Sequence, residues 1–583
     1  MTVEKLITDH IDIWSSALQT RSAAGRGSNG KIDLYGIKKL RELILELAVR
    51  GKLVPQDPND EPASELLKRI AAEKAELVKQ GKIKKQKLLP EISEDEKPFE
   101  LPAGWEWVRL GFITNYGECD KAEPTDADAD TWIVELEDIE KSTSRLLNRV
   151  TFSERPFKSS KNKFNKNDVL YGKLRPYLDK VLVADDSGVC TTEIIPIKVY
   201  GNILPGYLRL LLKSPRFIAY ANESTHGMNL PRLGTDKAIH AVVELTAIAE
   251  QVRIVNKVDE LMSLCDQLEQ QSLLSLDAHQ QLVKTLLATL TDSQNAEELA
   301  ENWARISQHF DTLFNTEASI DTLKQTILQL AVMGKLVPQD PNDEPASELL
   351  KRIEQEKAEL VKEGKIKKQK PLLPVSDEEK PFELPEGWVW CRLAELVAIK
   401  GGKRVSNGYK LLTEPTPHVY IRVADMKDGT IDLSDLKYID EEMHQKIKNY
   451  IITKDDIYMT IVGATIGKCG TVPALLDGMN LTENAARLIP SKLISKDYLY
   501  LCLRSDLCQE QFIDKTMQVG VQKMALNRLA NTLIALPSTN ESLRIRDRVK
   551  EMNKLCSKLV CGIIESQQTK LHLVDALTDA ALN

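Results

Sequence analysis

The sequence predicts an α+β protein: two small α/β units, separated by helices that come from duplicated frame regions. Those helices are expected to pair as antiparallel coiled coils in a pseudo-twofold symmetric molecule. Three observations predict this. One long segment is printed twice, helical seams flank both copies, and the stretches between the copies are β-rich and unlike each other.

The segment "GKLVPQDPNDEPASELLKRI" begins at Gly51 and again at Gly334, 283 positions later. From Gly51 to Gln86 and from Gly334 to Gln369 the copies differ only at Ala71/Glu354, Ala72/Gln355 and Gln80/Glu363. Upstream, "LRELILELAV" (Leu40 to Val49) answers "LKQTILQLAV" (Leu323 to Val332). Downstream, likeness runs through "EKPFELPAGWEWVRL" and "EKPFELPEGWVWCRL", then stops at Leu110 and Leu393. A second repeat is offset by 291: Glu250 to Leu268 answers Glu541 to Leu559. The chain therefore divides into an N-terminal helical frame (1–104), an insert (105–243) and a central helical connector (244–387). A second insert (388–536) and a C-terminal frame helix (537–583) complete it.

The frames are helical by period. Leu40, Leu43, Ile44 and Leu47 share one face, and Gly51 supplies a C-terminal stop. Prolines and turn formers follow, with Asp60 as an N-cap and Pro62 in the next first turn. Leu66, Leu67, Ile70, Leu77 and Val78 carry that helix to Gly81. Val255, Val258, Met262, Cys265 and Leu268 recur at three- and four-residue steps, a seam for another helix. Leu323, Ile327, Leu330 and Ala331 mark the same kind of seam on a connecting helix. The lysines of "GKIKKQK" (Gly81 to Lys87) read as a solvated face.

The inserts read differently. "WIVELEDI", "KVLVADD", "EIIPIKVY", "HVYIRVADM" and "DIYMTIVGATIGKCGTV" fit strands. "GYLRLLLKSPRFIAYAN" fits helix, so each insert is a small α/β unit. A constant frame around divergent inserts suits a scaffold that presents two different readers.

At 583 residues the chain exceeds a single core. No apolar run approaches the ~18 residues needed to cross a bilayer. The N-terminal "MTVEKLITDHIDIW" has acids where a secretory signal has a basic stretch. Nine scattered cysteines without a CxxC pair are expected to be reduced, mostly buried thiols in the cytoplasm.

A net charge of −8 argues against nucleic acid unless cations are gathered locally. They are. Arg145 to Lys180 holds ten basic residues against Glu154, Asp168 and Asp179, a net of +7, with Phe152, Phe157, Phe164, Tyr171 and Tyr177 threaded through. In the second insert "KGGKRVSNGYK" (Lys400 to Lys410) offers four cations and no acid. Cations position a protein on phosphates, and arginine and lysine also read base edges. The candidate DNA-binding residues are Lys161, Lys163, Lys173, Arg175, Tyr177 and Lys180 in the first insert. In the second they are Lys403, Arg404, Lys468 and Lys523.

Catalytic motifs are missing. "GATIGKCG" (Gly463 to Gly470) is one residue short of a phosphate loop and has Cys469 where Ser or Thr should bind magnesium. It reads as a glycine-rich turn between strands. There is no GxGxxG after a strand, no HExxH, no GxSxG and no Asn-Pro-Pro-aromatic. No catalytic, cofactor-binding or metal-ligating residue is assigned.

Frame, divergent reader, frame, divergent reader, frame is a plan that resembles the DNA specificity subunit of type I restriction–modification enzymes. "LAVRGKLVPQDPNDEPASELLKRI" and "EQVRIVNKVDELMSLCDQLE" look like that family's conserved regions. "DVLYGKLRPYLDKV" and "LPRLGTDKAIHAVVELTAIAEQ" resemble its first target recognition domain and its boundary. The second exit departs, with Ser542 where the first copy has Gln251, which weakens the expectation of an end helix there. The resemblance implies a non-catalytic reader of a bipartite, asymmetric site on double-stranded DNA. It also implies two methylation subunits that use S-adenosylmethionine to methylate adenine at N6, and motor-nuclease subunits that use ATP and Mg. No cofactor is expected on this chain itself, and no membrane. The competing reading is a coiled-coil scaffold whose inserts bind proteins. It accounts for the duplicated helices but not for the basic, aromatic-laced stretches. A self-sufficient methyltransferase is opposed by the missing motifs.

Overall fold

A computed structural model describes residues 3–21, 31–227, 229–364, 372–512 and 522–582. It is α+β, with small sheets and long helices. The chain forms two units: one gathers the residues up to Leu274 with those from Gln567 onward, the other is built on Ser275–Ser566.

In the first unit the frame helix Tyr35–Val49 buries Ile37, Leu40, Leu43, Ile44 and Leu47. It ends at Gly51, whose φ of +66° and close approach to Pro102 and Trp105 leave no room for a side chain. The next helix, Ala63–Lys79, buries Leu66 and Ile70 and starts just after Pro62. Asp60 is not its N-cap, because Arg253 captures the carboxylate at 2.5 Å. The second unit repeats this frame with Glu317–Val332, Gly334 against Pro385 and Trp388, and Ala346–Lys362. Leu323, Ile327, Leu330 and Ala331 lie in that unit's core, so their helix belongs to the frame and is not a connector. The connecting lengths are two other helices, Ile248–Asp292 and Thr539–Leu582, of 45 and 44 residues. The second forms in full despite Ser542, whose hydroxyl donates to the carbonyl of Thr539.

The repeated loop has a job in each unit: it clamps the first turn of a long helix. Trp105 Nε1 donates to Glu250 Oε2 at 2.9 Å, and Gln56 Nε2 reaches Glu250 Oε1 at 2.6 Å. Trp388 and Gln339 hold Glu541 in the same way, at 2.9 and 3.0 Å. Arg253 with Asp60 is matched by Arg544 with Asp343 at 2.7 Å. Each frame also receives the tail of a long helix. Lys52 Nζ donates to the Leu582 carbonyl at 2.6 Å, and its repeat partner Lys335 donates to Thr291 and Ser293 at 2.6 and 2.8 Å. Tyr35 Oη secures the first tail further by donating to Asp575 at 2.6 Å.

Each insert is closed where it begins. Strand Glu106–Arg109 pairs antiparallel with Val242–Leu245, and Val389–Arg392 pairs with Leu533–Leu536. Inside, each insert sets one parallel pair among antiparallel strands: Trp132–Val134 with Gly188–Cys190, and Tyr420–Ile421 with Asn480–Leu481. The strand expected through Ile139 stops at Val134, where Asp138 accepts from the Glu135 amide and turns the chain. The helical stretch of the first insert is two helices, Pro205–Lys213 and Pro215–Glu223, because Ser214 caps the second. The second insert breaks likewise at Ser505, between Lys496–Arg504 and Asp506–Phe512. All nine cysteines are free and seven are buried.

Candidate nucleic-acid interface

Half of the ten cations between Arg145 and Lys180 are paired with acids inside the first unit. Arg145 pairs with Asp266. Arg149 grips Asp185 and Asp186 at 3.0 and 3.1 Å while its guanidinium lies 4.3 Å from the Trp132 ring. Arg155 pairs with Asp138 at 2.6 Å, Lys161 with Glu135, and Lys163 faces Asp126 at 3.7 Å. Lys180 Nζ donates to the Leu136 carbonyl at 2.5 Å, and burial holds its amine below the usual lysine range. Among the described residues Lys158, Lys166, Lys173 and Arg175 form no ion pair. In the second insert Arg404 reaches Glu483 at 3.2 Å yet stays largely exposed, and Lys403 lies 5.8 Å from the Tyr450 ring. Among the described residues Lys468 and Lys523 have no ion-pair partner.

Four of these cations, Lys173, Arg175, Lys468 and Lys523, lie on or beside one feature that both inserts build. Strands Val169–Gly172 and Val181–Val183 enclose the loop Lys173–Lys180. Strands Ile457–Thr460 and Cys469–Thr471 enclose Ile461–Lys468, a loop of the same length. Its "GATIGKCG" is the expected turn between strands. The ties are the same in both. Lys173 N donates to the Glu193 carbonyl at 3.0 Å, and Ile461 N to Asn484 at 2.9 Å. Leu233 N donates to Lys173 at 3.0 Å, and Met524 N to Ile461 at 2.8 Å. Leu174 bridges Arg232 where Val462 bridges Lys523. Arg175 N donates to Pro231 at 2.7 Å, and Gly463 N to Gln522 at 2.8 Å.

The third and seventh loop residues are left-handed in both inserts. They are Gly463 (φ +79°) and Gly467 (φ +85°) in the second, but Arg175 (φ +53°) and Asp179 (φ +49°) in the first. A side chain in that conformation costs about 1–2 kcal/mol. Asp179 has a visible reason to be there. Lys213 Nζ reaches its carboxylate at 2.6 Å and also donates to Ser144 Oγ and the Ser142 carbonyl, which ties the loop to helix Pro205–Lys213. Burial pushes the Asp179 carboxyl up to about 6 against the pull of Lys213.

The structure thus brings Lys173, Arg175 and Tyr177 onto one loop, with Tyr177 about half exposed. It sets Lys468 and Lys523 on the matching loop and its partner segment. Lys161, Lys163 and Lys180 are engaged within the insert instead, by Glu135, Asp126 and the Leu136 carbonyl. Sequence reading missed Asp179, Lys213 and the Glu193–Arg232 pair, which closes at 2.9 Å. Among the described residues no group of three His, Cys, Asp or Glu side chains could hold a metal, and no helix is long and apolar enough to cross a membrane. Loops that carry unpaired cations, one of them with an exposed ring, are equipped to grip phosphates.

A family model described as the type I restriction modification DNA specificity domain matches residues 385–566. The chain is 50% identical, over the full length of both proteins, to the type I restriction enzyme EcoAI specificity subunit of Escherichia coli. It is equally 50% identical, again over both full lengths, to the EcoEI specificity subunit of the same organism. A solved chain from work on complex assembly and conformational transition of the type I R-M system shares the fold. Its TM-score is 0.52 at 18% identity, covering 83% of this chain and 99% of that one. The fold is that of two inserts carried on duplicated helical frames. The chain belongs to the family of type I restriction enzyme specificity subunits.

Proposed function

We propose that this chain reads a bipartite, asymmetric DNA site, each insert acting as a target recognition domain for one half. The domain bounds are those of the repeats: inserts 105–243 and 388–536 within helical frames. The observation that carries the reading is the matched loop pair. One backbone design, tied down by the same hydrogen bonds, presents different side chains: Lys173, Arg175 and Tyr177 in one insert, and Gly463, Ala464, Thr465 and Lys468 in the other. Identical supports with unlike contact residues are what two readers of unlike half-sites require.

Lys403, Arg404 and Lys523 flank the second loop as phosphate contacts, while Lys161, Lys163 and Lys180 position the first. The long helices pair as an antiparallel coiled coil that sets the spacer, and the whole is pseudo-twofold symmetric. Two methylation subunits dock on the frame and bring S-adenosylmethionine for adenine N6 methylation. Motor-nuclease subunits bring ATP and Mg. The experiment is methylation mapping in cells that carry this chain and its methylation partner. Replacing one insert should change one half of the methylated site and leave the other half intact. If both halves changed together, the division of labour would be wrong.

A further inference from the structure

The two loops differ in a way that backbone geometry does not explain. Residues three and seven are left-handed in both, and the second insert fills both with glycine. The first insert fills them with Asp179 and Arg175, residues that this conformation disfavours. Asp179 is accounted for within the fold, since Lys213 holds its carboxylate. Arg175 is not. Its amide donates to Pro231, a contact any residue but proline would make and one that Gly463 reproduces with Gln522. Its guanidinium is exposed and, among the described residues, makes no ion pair, side-chain hydrogen bond or ring contact. Nor is glycine imposed on the second insert by crowding, for the space beside the Gly463 Cα is open. A strained backbone that holds out an unpartnered guanidinium, flanked by Lys173 and Tyr177, keeps that side chain for something outside the chain.

We propose that Arg175 is a specificity-determining residue that recognises a guanine in the half-site read by the first insert, an inference that rests on the function proposed above. The guanidinium is a planar fork of donors, and the major-groove edge of guanine offers two acceptors, O6 and N7, at the matching spacing. Lys173, two residues earlier on the same loop, supplies the phosphate contact that holds the loop in register. The second insert has no side chain at this position, so its half-site is read without this contact.

The test uses the full chain with its methylation partner, comparing wild type with Arg175→Gly and Arg175→Lys. Arg175→Gly takes the residue found in the matching loop and relieves the backbone, so its unfolding midpoint should equal or exceed that of wild type. Methylation mapping should show one G·C position of the first half-site relaxed, on the order of 10- to 100-fold in discrimination. The second half-site should be unchanged. Arg175→Lys keeps the charge but not the fork and should keep the salt dependence while losing part of the discrimination. Two outcomes overturn the assignment: an unaltered site in Arg175→Gly, or uniform weakening on all sequences with a salt slope lower by about one, the mark of a phosphate contact. A wild-type complex that methylates without sequence preference would remove the underlying reading, and this assignment with it.

Discussion

Trp388 donates its indole N–H to Glu541 at 2.9 Å, joining the entry of the second insert to the first turn of the helix that leaves it. Glu541 is buried, and burial raises its pKa above the ordinary glutamate value while Gln339 and Trp388 pull it back. The second insert thus hangs from its frame by both ends at one point.

Removing the indole donor should loosen that point. Trp388→Phe keeps the ring against Gly334 but leaves Glu541 short of a partner, at a cost of about 1–3 kcal/mol. Hydrogen exchange should accelerate at the start of helix Thr539–Leu582 and in the loop after Gly334. Exchange at Trp105 and Glu250, the matching clamp, should stay at wild-type rates. Equal acceleration in both places would show that the clamps are not local.

Glu244 should make the first unit lose stability between acid and neutral pH. It lies between Arg216, at 3.0 Å, and the frame carboxylate Glu46, which Arg50 pairs at 3.2 Å. Burial pushes its carboxyl up from 4.5 to about 7. The folded unit therefore favours the protonated form. This contribution is complete below about 4.5 and is lost as pH rises through about 7, a change on the order of 3 kcal/mol. Glu244→Gln should flatten the decline in stability between pH 5 and 8, read by urea unfolding followed in the first unit. The matching residue Ala535 carries no charge, so the second unit lacks this particular contribution. A Glu244→Gln profile parallel to wild type would refute the assignment.

A chain ending near residue 292 should work as a pair. Such a half lacks the 567–582 tail that Lys52 and Tyr35 hold, but Ser275–Asp292 is the repeat equivalent of that tail. In two copies Lys52 can take the Thr291 carbonyl of its neighbour, as Lys335 takes it in the full chain. Two identical readers then recognise an interrupted palindrome. Methylation mapping of cells expressing this half with its partner checks it, and retention of the asymmetric site would rule it out.

The spacer between half-sites should follow the length of the long helices. Four residues inserted after Leu274 and after its repeat equivalent Glu565 add about 6 Å to each helix. With ~3.4 Å per base pair the preferred spacer should grow by one or two base pairs. The bases of both half-sites should stay the same. A two-residue insertion turns the seam by about 200° and should abolish assembly. An unchanged spacer in the four-residue variant would show that these helices are not the ruler.

The frame was legible because its evidence is local. The stripe of Leu40, Leu43, Ile44 and Leu47 and the stop at Gly51 are written in neighbouring residues, and a repeat confirms itself. The reading failed where distant chain decides. Asp60 looks like a helix cap until Arg253 arrives from 193 positions away. The run from Arg145 to Lys180 reads as +7, but Asp126, Glu135, Asp138, Asp185, Asp186 and Asp266 cancel much of it from outside the window. The shared loop was hidden for a different reason. Arg175 and Asp179 stand where the other copy has glycine, so letters disagree where backbones agree; the equal spacing from Gly172 and Thr460 to the closing Lys180 and Lys468 was the surviving signal.

The near-identity of Gly51–Gln86 and Gly334–Gln369 has a consequence at the level of the gene. Coding segments this alike can recombine with each other, and a crossover between them removes 283 codons: one insert and one long helix. Because the clamp residues of both copies are interchangeable, Gln56 for Gln339 and Asp60 for Asp343, the joined product keeps an intact clamp around the remaining insert. The same identity lets an insert from another lineage enter between matched flanks and meet a frame that already fits it. New sequence preferences can therefore arise by exchange of whole readers, with the helices and their partners left as they are.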